Sequence, residues 1–363
     1  MRSGFATSAC AAAAASAGIQ TLLTGRIMDE VTIDLPAMRG VRFAIIRCER
    51  QGQGVLCGVI KDAGDDPDVT NGLEIQSLVE RSAESGLTLL GGMGVGVATL
   101  PGLPVDVGEP AINPGSRRLI RKVVQETLKA LEAESGIGLQ VTIRVPDGEK
   151  IAQQTMNPKL GIVGGISILG TDGLVRPYSL PTFRTSIYYE MNVAREAGYT
   201  SIALATGKRS AAYLRDHLRD KRGLGVVDVG DELGYPMKQA RKFGFKKVTL
   251  GGMIGKFSKL AVGRFQTHVK EGEVNFEFLA ELAAAHGAPS DVCVRILTAR
   301  TAHQVQGWLS EIGIRLEPEL ARRTARHAAA ELGGGIVAQA VIFSLDGELL
   351  GQAESDHAQE AGE

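Results

Sequence analysis

Apolar residues recur along the first half of the chain in two rhythms, one helical and one alternating. An alanine-rich stretch follows Thr7 and Ser8, which are good helix-capping residues, and Gly25 offers a stop. This pattern predicts a first helix. Runs rich in β-branched residues then predict the strands of an antiparallel or mixed sheet. These runs are 31–35, 41–48, 55–61 and 74–82.

A further helix and strand complete this part of the chain. After Ser116, apolar residues return at helical spacing on one face, and residues 140–145 have the composition of a strand. A helix, several strands, a long helix and another strand are typical of an α+β domain. We therefore predict a first α+β domain over residues 1–155.

The pattern changes near residue 200 to a repeated strand, glycine turn and helix, which is typical of a parallel sheet with crossover helices. The strands predicted in this way are 201–205, 225–229 and 247–250, and the helices are 209–218, 235–243 and 256–262. Later segments predict more helices, a final strand pair and a loose tail. The helices are 277–285, 302–311 and 318–332, the strands are 336–343 and 348–351, and the tail is 353–363.

The whole pattern predicts a two-domain α/β protein. Its second domain, residues 156–363, is expected to be Rossmann-like, with a mostly parallel sheet, C-terminal helices and a final strand pair. In such sheets the loops at the carboxyl ends of the strands collect the ligand. Here these loops are 206–208, 230–232 and 251–256.

Composition narrows the class of partner. Lys and Arg (40) nearly balance Asp and Glu (41), which argues against a surface built for nucleic acid or an anionic membrane. The four cysteines have no metal-ligand spacing, and no apolar run is long enough to cross a bilayer. We predict a cytoplasmic protein without a bound metal.

Two short segments carry candidate chemistry in the first domain. Asp62, Asp65, Asp66 and Asp68 crowd into one turn, although their spacing fails the calcium-loop template, and a solvated acidic turn is the alternative. The glycines of 91–96 would let a ligand approach the backbone closely. They do not match the dinucleotide fingerprint, so a structural turn is the alternative there as well.

Cations stand near two predicted helix starts. Arg117 and Arg118 follow the rigid turn that contains Glu109 and Asn113, and this arrangement suits anionic carboxylates, with capping and surface charge as the alternative. Lys256 follows Gly255 as in a P-loop, but Phe257 stands where a magnesium-binding hydroxyl is required. Lys256 could instead bind a carboxylate or face solvent.

Four of these segments, taken in order, resemble the cobalt-precorrin-5B methyltransferase family. The blocks that carry the resemblance are 2–10, 61–72, 94–114 and 157–171. The carboxyl half departs more from the family pattern. Met253 stands where a His is expected, and Asp228 to Glu232 replace an Asn-containing stretch. The residues that still fit the pattern are Lys256, Lys259, Gly263, Thr267 and His268.

The resemblance implies that S-adenosylmethionine donates a methyl group to carbon 1 of cobalt-precorrin-5B, a cobalt-containing tetrapyrrole, to give cobalt-precorrin-6A in cobalamin biosynthesis. The cofactor candidates are Asp62, Asp65, Asp66, Gly92, Gly94, Gly96, Thr206 and Gly207. The substrate candidates are Glu109, Asn113, Arg117, Arg118, Lys208, Lys256 and His268.

No catalytic side chain is assigned, because a sulfonium donor is already activated and alignment is the main requirement. A cleft between the two domains is the expected place for the reaction. A homodimer and contacts with neighbouring corrin-pathway enzymes are further expectations. The alternatives are a tetrapyrrole-binding protein without turnover and a nucleotide-dependent α/β enzyme that uses the Gly255–Lys256 loop.

Overall fold

The computed structural model describes residues 1–133, 136–267 and 274–355. It divides into two compact units, Met1–Leu180 and Pro181–Glu363. Each unit contains a five-stranded mixed sheet together with helices, so the predicted α/β class is confirmed. The first unit continues past residue 155, because later short strands pair with segments from its beginning and middle.

The first unit contains thirteen short and long strands and three helices within the described residues. The strands are β1 (Gly4–Phe5), β2 (Glu30–Leu35), β3 (Met38–Ala44), β4 (Arg47–Gln51), β5 (Gly54–Ile60), β6 (Glu74–Arg81), β7 (Gly86–Gly91), β8 (Gly94–Val95), β9 (Val97–Ala98), β10 (Gly138–Arg144), β11 (Ile162–Val163), β12 (Gly165–Ile166) and β13 (Leu174–Val175). The helices are α1 (Thr7–Thr24), α2 (Pro114–Ala130) and α3 (Gly148–Ala152).

The main sheet of this unit has the order β4-β5-β6-β10-β7, with β10 and β7 parallel and the other neighbours antiparallel. The predicted strand 41–48 is wrong as a single element. The chain turns at Ile45 and Ile46, so β3 pairs with β2 while β4 joins the main sheet. Cys48 and Cys57 face each other across β4 and β5, and their Sγ atoms are 3.2 Å apart.

Helix α1 is a core element and explains the alanine-rich run. Its residues from Ala9 to Ala15 are completely buried, between α2 and the sheet strands β5 and β6. A Cβ added at Gly18 would lie only 2.6 Å from Val79 Cγ2, and the Ser77 hydroxyl donates to Ala11 O at 2.9 Å. Small side chains are therefore required because the helix backbone lies so close to the strands.

The start of α1 differs from the prediction. The N-cap residue is Ala6, whereas Thr7 and Ser8 lie inside the helix and bind another segment. Thr7 Oγ1 accepts from Leu169 N at 2.8 Å, and Ser8 Oγ donates to Gly170 O at 2.6 Å. The capping assignment was wrong because residues far along the chain supply the partners. The predicted stop is confirmed, since Gly25 adopts a left-handed φ of 74°.

The second unit contains five strands and eight helices within the described residues. The strands are β14 (Ser201–Ala205), β15 (Val226–Asp228), β16 (Lys247–Gly252), β17 (Val337–Phe343) and β18 (Leu349–Ser355). The helices are α4 (Leu180–Glu196), α5 (Lys208–His217), α6 (Gly234–Phe243), α7 (Ile254–Leu260), α8 (Phe276–Ala285), α9 (Ser290–Leu297), α10 (Ala302–Glu311) and α11 (Glu317–Leu332).

The sheet of the second unit has the order β15-β14-β16-β17-β18. The first four strands are parallel and β18 is antiparallel, which confirms the predicted parallel strands and the final strand pair. The sequence pattern missed α4 and α9. The predicted loose tail is wrong for residues 353–355, which belong to β18, and its remainder lies outside the described residues.

Within residues 1–133, 136–267 and 274–355, none of the helices combines the length and the apolar composition that a bilayer-spanning segment needs.

The tight packing of α1 yields a stability prediction. We expect Ala13→Leu, at a completely buried position, to lower the free energy of unfolding by about 1–3 kcal/mol, because the larger side chain forces its neighbours apart. Calorimetric unfolding should show a melting temperature lower by roughly 2–4 °C for each kcal/mol. The matched control is Ala284→Leu on the exposed side of α8. Equal effects of the two substitutions would contradict this packing.

Candidate functional site

The acidic turn binds the amino terminus of the chain. The Arg2 guanidinium donates to both carboxylate oxygens of Asp62, at 2.6 Å and 2.8 Å, and the Arg2 backbone N–H donates to Asp65 Oδ2 at 2.6 Å. The bonded guanidinium lowers the pKa of Asp62 to about 2. Two of the three carboxylates predicted to hold a cofactor therefore have a partner within the chain.

A buried cation stands at the other side of the same turn. Lys61 is 1% exposed, and its Nζ donates to Asp68 Oδ2 at 2.7 Å. The other oxygen of Asp68 accepts from the backbone N–H and the hydroxyl of Thr70, at 2.8 Å and 2.6 Å. The crowding of negative charge in this turn is thus relieved by cations and hydrogen bonds. Asp66 differs, because partial burial and the neighbouring Asp68 carboxylate raise its pKa.

The predicted cofactor glycines of the first unit are packed against other segments of the chain. A Cβ at Gly94 would lie 1.8 Å from Val145 O, and one at Gly96 would lie 2.3 Å from Ile162 Cγ2. A Cβ at Gly92 would be 2.9 Å from a Thr142 methyl group. These glycines let chain segments touch, so the space beside them is already filled by the protein.

The segment before α2 is tied into the same region. Arg117 Nε donates to Ile112 O at 3.0 Å, and its Nη2 lies 3.4 Å from Glu109 Oε2. Asn113 precedes the helix, but its side chain makes no capping hydrogen bond. Arg118, the next residue, is exposed to solvent. Arg117 is therefore part of the local framework, whereas Arg118 remains available to a ligand.

Backbone hydrogen bonds join all four sequence blocks that carry the family resemblance. Phe5 N donates to Asp62 O at 2.7 Å, and Ser8 N donates to Leu169 O at 3.0 Å. Ala111 N donates to Gly96 O at 2.7 Å, and Ile168 N donates to Ala111 O at 2.8 Å. We call the residues 2–8, 61–72, 91–118 and 157–171 the motif layer. Segments far apart in sequence thus form one continuous part of the first unit.

The second group of predicted residues lies at the carboxyl edge of the parallel sheet. Thr206 is buried, and its side chain packs so closely on β16 that a Cβ at Gly252 would lie 2.3 Å from its hydroxyl. Gly207 has a φ of 148°, and a Cβ placed there would meet no atom within 4 Å. Lys208 follows and is exposed. The turn at Gly207 therefore has free space beside it, whereas the Thr206 side chain is covered by its packing on β16.

Lys256 connects the ends of three strands. Its Nζ donates to Thr206 O, which follows β14, and to Gly230 O at 3.2 Å, which follows β15. The same ammonium lies 3.1 Å from Asp231 Oδ1, and both side chains are about one-third exposed. This lysine holds the carboxyl edge of the sheet together while part of its surface faces solvent.

Further charged groups at this edge were not among the predicted site residues. Glu232 is buried, and its Oε2 accepts from both Nε and Nη2 of Arg184, at 2.9 Å and 2.7 Å. Lys259, also buried, donates from Nζ to Thr267 O at 2.9 Å. Thr267 in turn donates its hydroxyl hydrogen to Asp231 Oδ1 at 2.8 Å. Arg184 could not be found from local pattern, because its helix α4 was itself missed.

Two further predictions concern His268 and the segment that is similar to a P-loop. His268 lies outside the described residues, so its role stays a prediction. The P-loop comparison is weakened, because Phe257 is completely buried within α7 and Gly251–Gly252 belong to β16. In the part of the chain that the structure describes, no group of three or more His, Cys, Asp or Glu side chains is arranged to hold a metal ion.

Comparison with known proteins identifies the family. The family model described as CbiD matches residues 1–177, and the model for the CbiD C-terminal domain matches residues 266–354. The chain belongs to the CbiD family. The predicted family resemblance is confirmed, and the CbiD match covers the whole motif layer.

CbiD relatives align along nearly the full chain. A cobalt-precorrin-5B C(1)-methyltransferase of Geobacillus kaustophilus is 42% identical over 97% of this chain and 95% of its own. One of Priestia megaterium is 39% identical over 97% and 96%. A crystal structure of a cobalamin biosynthesis protein (cbiD) from Archaeoglobus fulgidus is 28% identical over 74% of this chain and 83% of its own, with a TM-score of 0.41.

The Arg2–Asp62 ion pair yields a prediction about pH. The folded pKa of Asp62 is about 2, below the ordinary value of about 3.9. The ion pair therefore stabilises the fold at pH values above the ordinary pKa of Asp. This contribution is lost as the pH falls through the folded pKa of Asp62. Asp62→Asn should lower the urea midpoint slightly at about pH 6, as is typical of exposed ion pairs, and progressively less toward about pH 2.5.

Asp106→Asn, in an exposed loop of the same unit, is the control. Its urea midpoint should not approach that of the unsubstituted protein in this way as the pH falls. A difference between Asp62→Asn and the unsubstituted protein that stays constant over this pH range would contradict the assignment.

Proposed function

We propose that the protein is an S-adenosylmethionine-dependent methyltransferase that methylates carbon 1 of cobalt-precorrin-5B and yields cobalt-precorrin-6A in cobalamin biosynthesis. The observation that carries this proposal is the full-length similarity to curated relatives that bear the name of this activity. It agrees with the methyltransferase function expected from the sequence blocks.

The cofactor site is proposed at the carboxyl edge of the second unit, in a Rossmann-like arrangement. The chain passes from β14 to β15 on one side and then returns past β14 to β16, so the strand order reverses between β14 and β16. In open parallel sheets, ligands bind outside the carboxyl ends of the strands at such a reversal. The open turn at Gly207 lies there and supports this placement.

The cofactor candidates of the first unit receive less support. Gly94 and Gly96 contact backbone from other segments, and Asp62 and Asp65 are bonded to Arg2. We propose that these residues act mainly by shaping the motif layer. Asp66 is the remaining acidic candidate, and its pKa is raised by burial and by the neighbouring Asp68 carboxylate.

The proposed reaction does not require a reactive side chain. S-adenosylmethionine, when bound, supplies a methyl group on positively charged sulfur. The protein has to align the two reactants and exclude water, so rigid backbone matters more than a nucleophile. Lys256 suits that role, because it fixes the loops after β14 and β15 by hydrogen bonds to Thr206 O and Gly230 O.

The macrocycle carries several carboxylates, which need cations at separated positions. Arg118 and Lys208 are exposed, and no ion pair is recorded for either within the described residues, so they are proposed as contacts. Arg117 and Lys256 already have partners, and Glu109 and Asn113 are proposed to shape the turn beside Arg117. The role of His268 in substrate binding stays a prediction. So do the cytoplasmic location, the homodimer and the contacts with neighbouring pathway enzymes.

The decisive experiment is methyl transfer itself. Incubation of the protein with cobalt-precorrin-5B and methyl-labelled S-adenosylmethionine should give a product that is one methyl group heavier, with the label at carbon 1. Heat-denatured protein is the control. Binding of the tetrapyrrole without labelled product would instead support a binding protein. Thermal stabilisation by ATP, with no response to S-adenosylmethionine, would support a nucleotide-dependent enzyme.

The position of the cofactor can be tested separately. A photoreactive, azido-substituted S-adenosylmethionine should label peptides from the loops after β14 and β16, because the strand order reverses between these strands and the open turn at Gly207 belongs to the first loop. Peptide mapping by mass spectrometry gives the site, and excess S-adenosylhomocysteine should abolish the labelling. Label confined to residues 91–96 would contradict the placement in the second unit.

A further inference from the structure

A cavity of about 290 Å³ opens at the carboxyl ends of β16 and β17 in the second unit. Met253, directly after β16, and Phe343, the last residue of β17, both line it. Its remaining lining includes both apolar and polar residues. The apolar group includes Ile254, Ala302 and Leu345, and the polar group is Arg300, Thr301, His303 and Gln306.

Arg300 gives the cavity its charge. The residue is exposed, and its guanidinium forms no ion pair with any other described residue. Two arginines of the neighbouring helices already have partners. Arg295 of α9 stacks over Trp308 at 4.0 Å, and Arg323 of α11 donates to Glu319. The fork of an unpaired guanidinium is suited to two parallel hydrogen bonds with a carboxylate.

Hydrogen bonds orient the polar lining residues near Arg300. Gln306 Nε2 donates to Glu317 Oε1 at 2.6 Å, which leaves the Gln306 oxygen as an acceptor. His303 Nδ1 lies 3.0 Å from that oxygen and is therefore the donor, so its Nε2 is left for another partner. Arg300 itself is anchored by its backbone N–H, which donates to Gln304 Oε1 at 2.9 Å.

We propose that this cavity binds a carboxylate carried on a short aliphatic arm. Ligand pockets span about 300–1,000 Å³, so this one admits a single arm and not a macrocycle. The apolar wall suits the methylene groups, and Arg300 suits the charged end. Because the inference rests on the proposed function, the arm has two sources: the methionine part of S-adenosylmethionine, or an acetate or propionate group of the tetrapyrrole.

The test measures the affinity of Arg300→Gln for two probes, S-adenosylhomocysteine and cobalt-precorrin-5B. We expect one of the two dissociation constants to rise about 10- to 100-fold, the effect of losing a charge-assisted hydrogen bond. The probe that is affected identifies the source of the carboxylate. Arg300→Lys should give an intermediate rise, because it keeps the charge and loses the fork. Arg295→Gln, outside the cavity, should leave both constants unchanged.

A second variant tests the cavity without touching its charge. Gly255 lines the wall, and a Cβ added there meets no atom within 4 Å. Gly255→Leu should therefore fold with unchanged or higher thermal stability, since leucine favours helices more than glycine does. It should weaken binding of the same probe that Arg300→Gln affects, because the new side chain occupies space that the arm needs.

The outcomes separate this inference from the proposed function. If the unsubstituted protein transfers the methyl group while Arg300→Gln and Gly255→Leu bind both probes normally, the carboxylate site is wrong and the enzyme assignment stands. If the unsubstituted protein neither binds S-adenosylhomocysteine nor yields labelled product, the proposed function fails and this inference fails with it.

Discussion

Close contact between backbone segments that are far apart in sequence is the constraint on which the first unit depends. Alanine lets α1 lie against the sheet, and glycine lets the strands of the motif layer touch without side chains between them. Interiors of this density tolerate little added volume. The composition of these segments is therefore explained by packing before any ligand is considered.

The carboxyl edge of the second unit is organised differently, by charged side chains that tie neighbouring loops together. Lys256 spans the ends of β14 and β15, Lys259 reaches Thr267, and Arg184 neutralises the buried Glu232. Such groups have to be paired, because an isolated buried charge is expensive. The charges that remain accessible, such as Arg300 at its cavity, are accordingly the stronger candidates for contact with a ligand.

Local pattern sufficed for elements whose signals lie within a few residues. The periodicity of α2, the Gly25 stop and the parallel strands β14 to β16 were predicted correctly for this reason. It failed where the partner is distant. Thr7 and Ser8 have the chemistry of caps but bind Leu169 and Gly170, a contact that no local window contains.

The candidate site shows the same division. A family resemblance could indicate which blocks matter, and the structure joins those blocks by hydrogen bonds that spacing alone does not reveal. Whether Lys256 faces a ligand or a carbonyl oxygen depends on where two other strands end. Arg300 has a recognisable signal nearby, since Thr301 and Gln304 match a capping box at the start of α10, but its cavity requires β16 and β17 as well.

The pairing of β1 with β13 has a consequence for synthesis on the ribosome. Gly4 lies opposite Val175, so the pairing of β1 with β13 cannot form until the last strand of its unit has emerged. Translation proceeds at about 5–20 residues per second, which leaves the nascent amino-terminal segment without its final neighbours for many seconds. Until β5, β6 and α2 have emerged as well, the alanine-rich helix lacks the surfaces that bury it and is accessible to a chaperone that shields apolar segments.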